Sequence, residues 1–142
     1  MGDNLTTEQR KKNMKAIKSV SKLEEIVSKS LWNKGIRFRR NVKNLYGSPD
    51  IAIKKYKIVI FIDSCFWHVC PIHGNFPKNN EKFWRNKLER NKERDQEVND
   101  YYIENNWTLI RVWEHEVKED LESVTSYLAN EIRQEKHRYS LN

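Results

Sequence analysis

No apolar run in this 142-residue chain approaches the roughly 20 residues that a membrane-spanning helix needs, and the charged, Asn- and Gln-containing start lacks a signal-peptide core. A membrane span and a secretory leader are thus not expected, and the chain reads as a cytoplasmic protein. Cysteine is scarce, with only Cys65 and Cys70. In a reducing compartment a C-x4-C pair serves as thiols or metal ligands, so a disulfide framework is not expected. Internal repeats, linkers and low-complexity segments are missing too, and the length fits a single domain over residues 1–142. Acids are outnumbered: 27 Lys and Arg against 20 Asp and Glu leave a formal charge of +7. Such a balance suits a polyanionic partner, of which nucleic acid is the commonest, and equally a merely soluble basic protein.

Against this sparseness stands one dense segment, Asp63-Ser64-Cys65-Phe66-Trp67-His68-Val69-Cys70-Pro71-Ile72-His73. It holds a carboxylate, both cysteines, two of the four histidines and two large aromatics. It is too rich in Cys, His and Pro for the interior of a helix or strand, so it reads as a functional loop.

Elements can be placed around it. Thr6 to Lys18 is polar and basic, carrying Arg10, Lys11, Lys12, Lys15 and Lys18, and reads either as an arm on a phosphate backbone or as a solvated terminal helix. Ser21-Lys22-Leu23-Glu24 forms a capping box for a helix with Leu23, Ile26, Val27 and Leu31 at helical spacing and Gly35 as its stop. A strand is expected over Arg37 to Val42. The turn Leu45-Tyr46-Gly47-Ser48-Pro49 then delivers Asp50 to a second strand ending at Ile53. Lys57 to Ile62 is nearly unbroken apolar, as in a central strand buried on both faces, and ends at Asp63. Only Lys54, Lys55 and Tyr56 separate these two strands. An antiparallel hairpin follows, which puts Asp50 and Asp63 at one end of the sheet. Helix is expected over Glu81–Asn106 with a polar gap from Lys87 to Asp95, strand over Trp107–Trp113, and a final helix from about Asp120 to Lys136. The order α-β-β-β-α-β-α gives a mixed α/β fold, one mixed sheet flanked by helices.

Cys65, Cys70 and His73 supply three of the four ligands that a structural zinc ion takes. His68, His115 and His137 are candidates for the fourth. We favour His115, because a ligand after the last strand would tie the loop to its neighbour and leave His68 free. Asp50 and Asp63, converging on one sheet end in a basic protein, match what metal-assisted phosphodiester cleavage needs, since Mg²⁺ takes oxygen ligands and stabilises charge on phosphate. Glu24 offers a third acid. Spacing alone leaves open whether these acids catalyse, because Glu24 also serves as a capping residue and Asp50 as a turn terminus.

Lys12 to Ile17, Gly47-Ser48-Pro49-Asp50, Val59-Ile60-Phe61 running into Cys65-Phe66-Trp67-His68, Phe83-Trp84, Asn91, Arg94-Asp95 and Val112-Trp113-Glu114 together resemble the very-short-patch repair (Vsr) DNA mismatch endonucleases. The likeness is collinear from about Thr7 to Trp113. It implies a restriction-endonuclease-like fold, catalytic Mg²⁺, structural Zn²⁺, and nicking of double-stranded DNA 5′ to the thymine of a T·G mismatch left by 5-methylcytosine deamination. It further implies Asp50 and the backbone carbonyl of Ile62 as Mg²⁺ ligands, His68 as general base and Glu24 as outer-shell partner. Zinc falls to Cys65, Cys70, His73 and His115. DNA contact falls to Asn13 and Met14 within a basic arm of residues 1–19, to Phe66 and Trp67 as a wedge at the mismatch, and to Lys87, Asn91 and Asp95. Asp63 stands where some members carry a His, and so is open to binding a second metal ion or orienting His68. A bacterial, nucleoid-associated monomer is the corresponding expectation, with other repair factors as further partners. Two other functions remain for comparison: a non-catalytic zinc-containing module that binds distorted duplex, and a double-strand restriction endonuclease.

Overall fold

The computed structural model describes residues 22–65, Cys70 and residues 80–141. Helix α1 covers residues 22–33. Its Leu23, Val27 and Leu31 are buried as their spacing requires, while Ile26 lies at the rim of the stripe and is exposed. Gly35, at φ 90°, ends the helix with the Ile36 N–H reaching back to the Leu31 carbonyl.

Four strands follow in spatial order β1-β2-β3-β4: β1 (Arg39–Arg40), β2 (Ile51–Ile53), β3 (Ile58–Asp63) and β4 (Thr108–Trp113). The first is shorter than its sequence suggests because Asn41 takes a left-handed conformation, φ 49°. The N–H groups of Asn41 and Val42 nonetheless still bond the Asp50 and Pro49 carbonyls. Between β2 and β3 a single 3-10 turn, Lys54–Tyr56, closes on a left-handed Lys57, and the strands pair antiparallel with Ile51 opposite Ile60. The expected hairpin is thus present, and Asp50 and Asp63 do share a sheet end. Strand β4 runs parallel to β3, aligning Ile58 with Thr108 and Asp63 with Trp113.

Helix α2 (Glu81–Glu104) lies between β3 and β4 in sequence. A short α3 (Glu114–Glu119), absent from the expected order, leaves β4 directly, and α4 (Leu121–Leu141) completes the chain. Asp120 starts α4 by accepting from the Ser123 N–H at 3.1 Å and the Ser123 hydroxyl at 2.7 Å.

The two-residue period of β3 sorts the core. Ile58, Ile60 and Ile62 join Leu23, Val27, Leu31, Leu128 and Ile132 on the face covered by α1 and α4. Val59 and Phe61 join Ala52, Val98 and Tyr102 on the face covered by α2. Burial on both faces explains why this strand reads as an unbroken apolar run. Gly47 lets α2 approach closely: it sits at φ 75°, and an added Cβ would lie 2.8 Å from Val98 Cγ1. Among the described residues no helix is long and apolar enough to cross a membrane.

Candidate active site and metal centre

Asp50 ends the Gly47-Ser48-Pro49 turn, and its Oδ2 accepts the Ile62 N–H at 2.7 Å. The bond turns the carboxylate toward the end of β3. In extended chain a residue sends its N–H and C=O to the same edge, so the Ile62 carbonyl also faces the Asp50 side. Glu24, on α1, is 6% exposed and hydrogen-bonds Asp50 and Asn41. Burial first, and then the neighbouring Asp50 carboxylate, push its acid up to about 7. Arg40 Nη2 approaches Glu24 Oε1 only to 3.7 Å, and that buried oxygen has no hydrogen-bond partner. Two crowded carboxyls with an unsatisfied oxygen fit a small hard cation, whose charge would relieve the crowding.

Around Asp50 the molecule forms a cleft of about 330 Å³, lined from the sheet by Asp50, Ile62 and Asp63 and from α2 by Asn91, Arg94 and Asp95. Lys87, one turn from Asn91, lines an adjoining hollow with Phe83, Arg90 and the shared Asn91 and Arg94. The polar gap in the apolar pattern of α2 therefore faces open space beside the acids. Asp63 is buried and paired with Arg111, a contact that sequence reasoning missed. Its signal was there: Arg111 is the lone charge in the Trp107–Trp113 run.

A second cluster stands at the same end of the sheet. Since Asp63 aligns with Trp113 in parallel register, Cys65 and His115 each lie two residues past a matched pair. Their Sγ and Nδ1 are 3.3 Å apart, Cys70 Sγ is 3.5 Å from the same nitrogen, and the three ligand atoms fall within 4.8 Å of one another. Ligands on a tetrahedral zinc ion, at ordinary Zn–S and Zn–N lengths, stand about 3.6 Å apart, so the donor set fits. The Cys70 N–H bonds the Cys65 carbonyl at 3.0 Å, and Glu114 Oε1 accepts the Cys65 N–H at 3.1 Å. Burial, outweighing the opposing pull of His115, pushes the Cys65 thiol up to about 11. A bound cation reverses that preference by holding the thiolate.

The structure thus assembles Asp50, Ile62, Asp63, Asn91 and Asp95 around one cleft, with Glu24 bonded to Asp50 and Lys87 beside the cleft. Cys65, Cys70 and His115 form a separate centre. Asn13, Met14, Phe66, Trp67, His68 and His73 lie outside the described residues.

Residues 2–73 match the family described as "DNA mismatch endonuclease Vsr". The chain is 45% identical over 119 residues to the type II nicking enzyme V.HpaIIP of Haemophilus parainfluenzae, covering 81% of this chain and 84% of that one. Against the type II nicking enzyme V.NmeDIP of Neisseria meningitidis serogroup C, identity is 38% over 135 residues, or 93% and 88% of the two chains. The DNA mismatch endonuclease Vsr of Escherichia coli K12 is 34% identical over 108 residues, 74% of this chain and 69% of that one.

Proposed function

This chain belongs to the Vsr family of DNA mismatch endonucleases, and on that footing we propose that it nicks one strand of duplex DNA 5′ to the thymine of a T·G mismatch. The reaction would depend on Mg²⁺ and would begin short-patch repair of deaminated 5-methylcytosine. The observation that carries this reading is the pairing of Asp50, anchored by the Ile62 N–H at the edge of a cleft shared with α2, with the buried Glu24.

Asp50 and the Ile62 carbonyl would hold the cation, with Glu24 ordering its hydration shell. When bound, the ion supplies Lewis-acid stabilisation of charge on the phosphate. His68 would accept the proton of the attacking water, a task that an imidazole titrating near neutrality can perform and a zinc-bound one cannot. Asp63 lines the same cleft as Asp50, and the resemblance leaves it open to binding a second metal ion or orienting His68. Zinc on Cys65, Cys70, His73 and His115 would brace the loop from which Phe66 and Trp67 enter the base stack, where unstacking costs least at a mismatch. Lys87, Asn91 and Asp95 would read the mismatch and its flanks from α2. Asn13 and Met14 would contact DNA from the basic arm of residues 1–19, Met14 from the minor-groove side. We take residues 1–142 as one restriction-endonuclease-like domain acting as a monomer, open to recruiting other repair factors.

A 5′-labelled duplex with one T·G pair, incubated with and without Mg²⁺ beside a fully paired control, tests the function. The expected result is a single Mg²⁺-dependent nick in the thymine strand. Binding without a nick would make the protein a recognition module, and cleavage of both strands of the control would make it a restriction endonuclease.

A further inference from the structure

Two carboxylates at one sheet end invite a two-metal reading, and the geometry around Asp63 argues otherwise. Strands β3 and β4 are parallel and aligned, so Phe61, Asp63 and Arg111 all project toward α2. The Arg111 guanidinium stacks on the Phe61 ring at 4.4 Å from its centre. Its Nη1 faces both oxygens of Asp63, at 2.9 and 3.1 Å. Meanwhile Nε donates to Asn99 Oδ1 at 2.6 Å, and Nη2 reaches the Asp95 carbonyl at 3.5 Å. Asp63 is 4% exposed and the Arg111 side chain 18%.

We propose that Arg111 is a positioning residue that keeps Asp63 as its ion-pair partner, not a metal ligand, leaving Asp50 as the carboxylate that binds the cleft's divalent cation. The physical reason lies in burial. To reach a cation Asp63 would have to abandon a guanidinium held on four sides, leaving that partly buried charge without its partner. A compact ammonium would neutralise Asp63, but the planar fork of arginine also bonds Asn99 and Asp95, and so fastens α2 to the sheet beside Asp50. Asn91 and Asp95 thereby hold their places over the same cleft.

This inference rests on the reading of Asp50 as a cation ligand, and the test separates the two. The full-length protein, purified without chelator so that any metal on its cysteines is retained, is titrated with Mn²⁺ and free ion is followed by electron paramagnetic resonance. Wild type should take up one Mn²⁺, and Asp50→Asn should lose it. Asp63→Asn should keep one Mn²⁺ with Kd within about threefold of wild type, well short of the roughly 10–100-fold that loss of even an outer-shell partner costs. Arg111→Met should raise the stoichiometry to two, whereas Arg111→Lys and the double variant Asp63→Asn with Arg111→Met should both stay at one. A stoichiometry of two in wild type that drops to one in Asp63→Asn overturns the proposal, as does a tenfold weakening in Asp63→Asn. An Arg111→Met protein that still takes one ion overturns it too. Should that variant fail to fold, the Asp63→Asn titration decides alone. An Asp50→Asn protein that binds as well as wild type overturns the reading of Asp50 itself, and the proposal with it.

Discussion

The two clusters at the end of β3 differ in what they have already settled. At Cys65, Cys70 and His115 the ligand atoms stand at the spacing a tetrahedral ion needs, on backbone pinned by the Cys70–Cys65 and Cys65–Glu114 bonds. At Asp50 and Glu24 two acids crowd together, one buried oxygen lacks a partner, and the cleft stays open toward α2. Soft ligands on pinned backbone suit a brace, and hard ligands beside an open cleft suit catalysis, because a hydrated cation and a phosphate would both need room there.

Breaking the second cluster should therefore cost activity and leave the fold. For Asp50→Ala we expect nicking of a T·G duplex to fall by roughly 10²–10³-fold or more while circular dichroism and DNA affinity hold, an effect at least the size of losing one transition-state donor. Retained nicking would remove Asp50 from the site. Breaking the first cluster should do the reverse and cost stability. Stripping metal with a chelator, or Cys70→Ser, should lower Tm by on the order of 10 °C, and a Tm indifferent to chelation would reduce that centre to two thiols and an imidazole.

Gly47→Ala probes the link between the acids and α2. A side chain at φ 75° that meets Val98 should cost about 1–3 kcal/mol, with nicking reduced beyond what the stability loss explains. Urea denaturation and kinetics on the same preparation separate the two effects. The smallest change serves as a control at a residue of neither cluster. Hydrogen bonds from Ser123, side chain and then backbone, hold the Asp120 carboxyl below its ordinary value. Its contribution to α4 is therefore present above the usual carboxylate range and lost as pH falls through the lowered value. Asp120→Ala should lower Tm slightly at neutral pH, the difference vanishing in acid, with the metal content and the nick unaffected.

Much of this was legible in one dimension. Asp50 and Asp63 share an end because three residues between two apolar runs force a hairpin, and the candidate ligands stand out by density in a chain with two cysteines. His115 could be named from chemistry, since a remote ligand gives a brace its purpose. Less legible were the short strand, stopped by left-handed Asn41, and α3, which leaves β4 without a turn signal. Arg111 is a lone charge in a strand, and nothing near it in the sequence names its partner.

By itself the sequence determined local facts: where the long helices and the apolar strands run, which side chains offer metal-ligand chemistry, and that the net charge suits a polyanionic partner. These depend on periodicity and side-chain chemistry, both written in consecutive residues. Only the tertiary structure decided that β4 lies parallel to β3 with Asp63 level with Trp113. That register places His115 beside Cys65 and Arg111 against Asp63, across 50 and 48 residues of chain. Pairing at such separation is set by packing of two apolar sheet faces against three helices, a collective energy that no short stretch of sequence encodes.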